Sequence, residues 1–314
     1  RVAFYNVENL FFPDNDSLKL DDEFTPEGLR NWSFFRYHQK STRISQVIQA
    51  LGEGEALAII GLAEIENRKV LEDLRYRAPI RKHQYEIIHF ESDDRRGIDV
   101  AALYDPRQVK LLEAQALKIR WPEDSNFATR DILYARFLDS AEDSIHLFFC
   151  HWPSRYGGQQ ISEPKRIQAA LRIRAKIDSI LKVEPDAKII IAGDLNDEWH
   201  NASILEYLKA YPPDSAQADL INLMAETPAN EGSHRYQGVW SYLDQIIVSP
   251  SIYKQLVSTD AQRAAFPFLL AEDERYPGLS PYRSFVGIRY QEGFSDHLPV
   301  YIDLKQGRKP NPKP

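Results

Sequence analysis

The chain is expected to fold as an α/β protein, a four-layer α/β/β/α sandwich of two mixed β-sheets flanked by helices. Three observations predict it. Strand-like and helical stretches are mixed along the chain with hairpins among them, which argues for two packed sheets with helices outside. Apolar runs repeatedly end, or begin, on a polar residue of one chemical class. With 314 residues, 43% of them hydrophobic, the chain can bury the core of such a sandwich, and no segment reads as a linker.

The elements follow in order. Val2-Ala3-Phe4-Tyr5 is an apolar run that ends at Asn6. Segment 11–40 is rich in Pro, aromatics and charge and is expected to be a long loop lining a cleft or a neighbouring face. A helical pattern covers 41–51. The run Leu57 to Ala63 ends at Glu64, and a second helical pattern follows at 68–77. Tyr85 to Phe90, Ile98 to Tyr104, Val109 to Ile119 and Ile132 to Leu138 alternate or are rich in β-branched and aromatic residues, so they read as strands. Ile145 to Cys150 ends at His151. The clearest helix spans 163–182, where Ile167, Ala170, Leu171, Ile177, Ile180 and Leu181 form one stripe and Pro164 stands near the start. Ile189 to Gly193 ends at Asp194, with Asn196 two residues on and a helical pattern at 201–209. Then the order reverses. Asp244 precedes Ile246-Ile247-Val248, and Asp296-His297 precede Leu298 to Ile302, with a second loop-like segment at 250–294 between them. Residues 1–304 are expected to form one domain and 305–314 a flexible tail.

In a sheet of mixed direction, the ends of outgoing strands and the starts of returning strands share one edge. These polar residues can therefore converge on one rim, held by rigid strands. Carboxylates, imidazoles and amides gathered there make a metal and proton-transfer site. Singly, each has a plainer reading: Asp194 as a turn residue, His151 as a satisfied structural histidine, Asp244 as a strand-edge charge. Turn chemistry, however, does not require His and Glu at matching strand ends.

The local motifs are Asn6-Val7-Glu8-Asn9, Leu62-Ala63-Glu64-Ile65-Glu66-Asn67, His151-Trp152-Pro153-Ser154-Arg155, Gly193-Asp194-Leu195-Asn196-Asp197, Leu243-Asp244-Gln245-Ile246 and Ser295-Asp296-His297-Leu298-Pro299-Val300. In that order the chain resembles the endonuclease/exonuclease/phosphatase superfamily, from Asn6 to about Leu304. That group includes pancreatic-type DNase, abasic-site endonucleases, sphingomyelinases and inositol-polyphosphate phosphatases. The Gly-Asp-x-Asn and Ser-Asp-His pieces carry most of the specificity, and the resemblance implies the same sandwich.

It also implies roles. Asp194 would work in proton transfer, Asn196 would orient the attacking water or the phosphate, and Asn6 would position Asp194 or a metal-bound water. His297 would pair with Asp244, which fixes its tautomer and favours imidazolium; which of Asp194 and His297 is the base stays open. His151 matches a histidine of DNase-like members, where abasic endonucleases tend to carry Tyr. Hard oxygen ligands with few imidazoles suit Mg²⁺, with Mn²⁺ as a substitute. Glu64 is the first expected ligand, and Glu8 and Asp296 come next. Zinc is disfavoured, since no Cys or His cluster has ligand spacing. Arg130 and Arg155 are expected phosphate clamps, with ion pairs as the plainer alternative. Arg95 or Arg96 could also meet substrate, or simply form a turn. Trp152, Trp199 and Trp240 could stack on bases or pack in the core or rim.

The expected activity is metal-dependent phosphoester hydrolysis. The first reading is a nuclease or phosphodiesterase that cleaves nucleic acid by metal-assisted attack of water. The alternative is a phosphatase or phosphodiesterase acting on inositol phosphates or phospholipid headgroups. A catalytically silent binding module is disfavoured, because every core position of the pattern is filled. The net charge of −7 gives no global basic footprint for nucleic acid, although bound cations can invert the field locally. No apolar run approaches the roughly 18 residues of a membrane span. Cys150 is the lone cysteine, so an intramolecular disulfide is impossible; it reads as a buried thiol pointing opposite to His151. Residue 1 is Arg, so a signal peptide has been removed or the chain trimmed. The family includes exported bacterial members, and a secreted or periplasmic monomer is one expectation.

Overall fold

Alternation along the first strand sets the layers. In β1 (Val2–Leu10), Val2 and Phe4 pack between the two sheets while Ala3, Tyr5 and Val7 face the helices outside. The structure, a computed structural model, describes residues 1–215, 218–225, 227–228 and 230–305. From residue 306 onward the expected tail lies outside them.

After β1 come α1 (Phe34–Leu51), β2 (Ile59–Ile65), α2 (Arg68–Tyr76), β3 (Glu86–His89) and β4 (Asp99–Tyr104). Next are β5 (Lys110–Leu117), β6 (Ile132–Leu138), β7 (Ser144–His151), α3 (Gln159–Leu181) and β8 (Lys188–Asp194). The short strands β9 (Ala210–Tyr211), β10 (Leu220–Asn222), β11 (His234–Tyr236) and β12 (Val239–Ser241) lead to β13 (Asp244–Val248). Then follow α4 (Pro250–Tyr253), β14 (Gln262–Arg263), β15 (Leu270–Glu272), β16 (Leu279–Pro281), β17 (Phe285–Val286), β18 (Arg289–Tyr290) and β19 (Val300–Ile302).

Two large mixed sheets carry the fold, ordered β14-β19-β1-β2-β4-β3 and β5-β6-β7-β8-β13-β10-β9. Helices α1 and α2 cover the first and α3 covers the second, which gives the expected four layers. Between the sheets, Phe4 stacks on Phe149 with ring centroids 6.2 Å apart. Gly61 permits that approach: a Cβ there would lie 2.2 Å from the Phe149 ring. Cys150 points into the α3 layer, opposite to His151's side of the strand, and burial pushes its thiol far above the usual range.

Some elements differ from expectation. Helix α1 begins at Phe34, well before 41, because Ser33 caps it by accepting the Arg36 N–H. In α3 the buried stripe is Ala169, Ala170, Ile173, Ile177 and Ile180, joined by Arg166, while Leu171 is exposed. The helix starts upstream of Pro164, which therefore stands inside it and removes the N–H that the Gln160 carbonyl would accept. The 201–209 pattern forms a π-helical turn at Ser203–Leu208. The 250–294 segment is not bare loop; it holds α4 and the hairpins β15–β16 and β17–β18.

Candidate active site

Three neighbouring strands place three ionisable groups in one row. β7 and β8 run parallel with His151 opposite Asp194, and β13 runs antiparallel to β8 with Asp244 opposite Asp194. Residues at matched register share a face of the sheet. From the other sheet, β1 delivers Asn6 and β2 delivers Glu64. Asn6 Nδ2 donates to Asp194 Oδ2 (3.1 Å) and reaches Glu64 Oε1 at 3.4 Å, so one amide ties the two sheets at the rim.

Both strands break register here, between Asn6 and Leu10 and between Ala63 and Ile65. Glu8, Asn9, Glu64 and Asn196 have φ of 54°, 58°, 63° and 50°. A non-glycine residue in such a conformation costs about 1–3 kcal/mol and persists only where its surroundings over-determine it. The bulge re-aims the side chains, and Glu64 emerges as the half-open carboxylate of an otherwise buried set.

His297 enters just before β19. Its N–H donates to Ser295 Oγ (3.1 Å), and the Ser295 hydroxyl donates to the Asn6 carbonyl (2.7 Å). Its Nδ1 lies 2.6 Å from Asp244 Oδ2 and its Nε2 3.8 Å from Asp194 Oδ2. On the other side, His151 Nε2 is 3.6 Å from the same Asp194 oxygen and 4.0 Å from Glu64 Oε1. Asp194 Oδ1 accepts the Asn196 N–H (3.0 Å), and Asn196 Nδ2 donates to the Trp152 carbonyl (3.1 Å).

The two imidazoles are driven to opposite protonation states. Burial works against a charge on His297, but the Asp244 and Asp194 carboxylates outweigh it and raise its pKa well above the usual value. For His151, burial and the Arg130 and Arg96 charges act together and push its pKa well down. Asp194 is raised to about 6 by burial; Asp244 adds to this and His297 partly offsets it. Around Asp194 the site thus holds an imidazolium at His297, a carboxylate that titrates close to neutrality and a neutral imidazole at His151.

A model of the endonuclease/exonuclease/phosphatase family matches residues 1–306. The chain belongs to that family. The family is one of metal-dependent phosphoesterases. Solved family structures share the fold at low identity. An endonuclease/exonuclease/phosphatase from Bacteroides vulgatus is 18% identical, with a TM-score of 0.59 and 98% of each chain covered. A mannosyl-6-phosphatase of Bacteroides thetaiotaomicron VPI-5482 is also 18% identical, with a TM-score of 0.58, covering 96% of this chain and 98% of that one. Truncated TDP2 of Caenorhabditis elegans is 14% identical, with a TM-score of 0.54 and coverage of 95% and 94%. No curated protein sequence matches.

The family's metal finds a fitting donor at Glu64. Its side chain is 14% exposed, its Oε2 accepts the Asn9 N–H (2.9 Å), and its Oε1 faces Asn6 Nδ2 at 3.4 Å and His151 Nε2 at 4.0 Å. A partly open carboxylate of this kind is a hard oxygen donor and suits a hard cation. Among the described residues three clusters are close enough to share a cation: His297 with Asp194 and Asp244, His297 with His234 and Asp296, and His89 with Glu91 and Asp99. In the first, the imidazolium ring itself lies between the two carboxylates, so a cation would compete with it.

The remaining expected site residues have other partners. Glu8 accepts the Ser284 and Phe285 N–H groups (2.6 and 3.3 Å) and lies 3.6 Å from Arg283 Nε; burial, with the Asp296 charge, raises it to about 7. Asp296 pairs with Arg283 Nη2 (2.9 Å); burial opposes its charge, yet Arg283 and His297 hold it at about 2. Both thus meet protein cations where a metal was expected. Arg130 donates to the Trp152 carbonyl (2.7 Å) and pairs with Asp94 (3.3 Å). Arg155 donates to the Asn196 carbonyl (2.7 Å) and to Asn201 (3.3 Å). The two arginines expected to clamp phosphate donate to the Trp152 and Asn196 carbonyls, and so hold the segments that carry His151 and Asn196. Trp152 is fully buried and packs in the core.

Arg96 does reach the rim. Its Nη2 donates to Asn9 Oδ1 (2.8 Å), and Asn9 in turn holds Glu64. Sequence reasoning missed Arg283, His234, Arg166 and Lys40. Lys40 is fully buried in α1 and donates to Ser284 Oγ and the Phe294 carbonyl. A lysine in a helix reads as solvated, so no sequence signal marked it. Ser295 could have been found, since it stands in the Ser-Asp-His motif.

Proposed function

We propose that the chain is a metal-dependent phosphodiesterase in which Asp194 takes the proton of the attacking water. The observation that carries this is a carboxylate titrating at about 6, set 3.6 Å from a neutral imidazole and 3.8 Å from a charged one. A general base works best with a pKa near the operating pH. His297, held as imidazolium by Asp244, donates to a non-bridging phosphoryl oxygen. Asn6 and Asn196 orient the water and the phosphate. Glu64 would hold Mg²⁺ or Mn²⁺, which when bound neutralises phosphate charge. Arg96 supplies a guanidinium for a phosphate oxygen at the mouth.

Nucleic acid is the first proposed substrate, because Arg96, hydrogen-bonded to Asn9 but with no ion-pair partner among the described residues, stands exposed at the rim near Glu64, where a backbone phosphate would pass. The second reading is a small phosphoester. The net charge of −7 favours it, since a long polyanion needs a wider basic surface. The test is hydrolysis of bis-p-nitrophenyl phosphate, plasmid DNA, RNA and phosphatidyl substrates with Mg²⁺, using Asp194→Asn as the control. Cleavage of DNA or RNA supports the first reading. Turnover of none of these, or turnover that survives excess EDTA, overturns the proposed chemistry.

A further inference from the structure

A second set of metal donors lies on the outer edge of the first sheet, where β3 is the edge strand and pairs with β4. His89 ends β3 and Glu91 follows two residues on, a spacing that puts both side chains on one side of an extended chain. The pairing that sets His89 opposite Ala101 sets Glu91, one period further, opposite Asp99. Donor atoms of His89, Glu91 and Asp99 lie within 4.8 Å of one another.

Two observations ask for a cation here. The first is the pair of carboxylates. Like charges directly opposite on paired strands repel. Among the described residues neither Glu91 nor Asp99 pairs with a lysine or arginine; each faces only His89. Lys19 is spent elsewhere, since its Nζ donates to the Ser92 and Asp94 carbonyls (3.1 Å each).

The second is the imidazole itself. The His89 side chain is 2% exposed, and its Nε2 lies 3.2 Å from Asp99 Oδ2. With the ring proton on Nε2, Asp99 accepts it and Nδ1 is left with a lone pair. Nδ1 has no hydrogen-bond partner among the described residues, and it faces Glu91 Oε1 at 3.9 Å, too far for a hydrogen bond. A lone pair facing a carboxylate is repulsive unless something positive sits between them. Donors about 2 Å from one ion lie up to about 4 Å apart, so this gap admits one. A carboxylate on the far nitrogen is also the usual support of a ligating histidine. Glu91 provides the way in, because its side chain is 59% exposed.

Asp99 serves a second purpose. Its Oδ1 accepts the Ser92 N–H (3.0 Å), Ser92 Oγ accepts the Asp94 N–H (3.3 Å), and Asp94 Oδ1 accepts the Arg96 N–H (3.0 Å). A chain of hydrogen bonds thus runs from the donor cluster to Arg96, whose guanidinium reaches Asn9.

We propose that His89 Nδ1 and the Glu91 carboxylate bind a first-row divalent cation such as Zn²⁺, with Asp99 fixing the ring and water completing the shell. The ion fastens the base of the loop that carries Arg96. An imidazole nitrogen beside a carboxylate suits Zn²⁺ over Mg²⁺, so this site and Glu64 select different ions.

The test reads His89 directly and needs no turnover, so its result is independent of the phosphoester chemistry. Histidine-ring NMR of protein stripped with EDTA and dialysed is recorded near neutral pH as Zn²⁺ is added, with His89 assigned through its backbone. The His89 signals should move, and Glu91→Gln should raise the Zn²⁺ midpoint about tenfold or more. Mg²⁺ over the same range should leave them in place. Glu91 is exposed, so this variant tests the site even where His89→Gln fails to fold. A His89 ring that Zn²⁺ leaves unmoved, or a midpoint equal in wild type and Glu91→Gln, overturns the site. So does a ring that keeps protons on both nitrogens throughout the titration, because the bridge is then a proton. Amide exchange reads the loop: Zn²⁺ should slow it from Ser92 to Gly97 in wild type and not in Glu91→Gln, and equal exchange with and without Zn²⁺ in wild type overturns the role given to the ion.

Discussion

Replacing Asp194 by Asn should abolish activity and stabilise the fold above neutral pH. The carboxyl is buried, and its pKa rises from 3.8 to about 6 on folding. Folded protein therefore holds this proton more tightly than unfolded chain. The group's favourable contribution is full below about pH 3.8 and is lost as pH rises through about 6. A shift of roughly two units is about 3 kcal/mol of penalty carried at pH 8. Asn carries no such penalty. One hydrogen bond suffers: the new amide would face Asn6 Nδ2, where Oδ2 accepted at 3.1 Å, while Oδ1 still accepts the Asn196 N–H. A lost bond of that kind costs about 1 kcal/mol. The variant should thus be more stable than wild type by about 2 kcal/mol at pH 8, with the gain vanishing toward pH 4. Urea denaturation in EDTA at both pH values measures this, with EDTA keeping metal linkage out of the comparison. Turnover of bis-p-nitrophenyl phosphate should fall by on the order of 10²-fold or more. A variant less stable than wild type at pH 8, or a gain independent of pH, would refute the reasoning about the buried charge.

Four further outcomes are expected. Asp244→Asn should move the His297 pKa down, since burial is then opposed by Asp194 and Asp296 without the Asp244 charge; NMR of the histidine ring should then show neutral imidazole at pH values where wild type is protonated. In wild type the His297–Asp244 pair contributes stability that is complete below the usual histidine range and lost as pH rises through the raised value, so alkaline destabilisation should be shallower in Asp244→Asn. Glu64→Gln should weaken Mn²⁺ binding about tenfold or more by calorimetry while leaving the denaturation midpoint in EDTA within about 0.5 kcal/mol of wild type. Arg155→Ala should lower stability by about 1–3 kcal/mol and kcat more than KM, because it releases the Asn196 carbonyl; a pure KM effect would restore the phosphate clamp.

The strand-end rule made much of this site legible. Asn6, Glu64, His151, Asp194 and Asp244 each sit where an apolar run ends or begins, and strand register then sets them side by side. Side-chain period is fixed by the backbone, so placement follows from sequence spacing. Hydrogen-bond choice does not. Arg130 and Arg155 carry the right chemistry for phosphate, yet nearby carbonyls claim their donors. Glu8 stands in a motif beside Asn6, but a left-handed φ turns it toward the Ser284 and Phe285 amides, which lie far away in sequence. Lys40, Arg283 and Asp296 meet through the same distant segment, and no local pattern announces such contacts.

The arginine contacts explain how the loop after β8 holds its strain. Asn196 keeps a φ of 50° while its N–H, carbonyl and amide are bound by Asp194, Arg155 and Trp152 in turn. The Trp152 carbonyl is itself shared with Arg130, and Asp197 forms a fully buried pair with Arg166 at 2.7 Å. Arg130, Arg155 and Arg166 therefore hold one short loop through its carbonyls and through Asp197. A conformation costing about 1–3 kcal/mol survives only under such over-determination. Losing any one arginine should loosen Asn196 before it alters the pKa of Asp194, because burial dominates that shift. Asn196 and Asp194, two residues apart in sequence, rest on separate supports; if they orient the water and take its proton as proposed, kcat should be separable from the pH profile by mutating the three arginines.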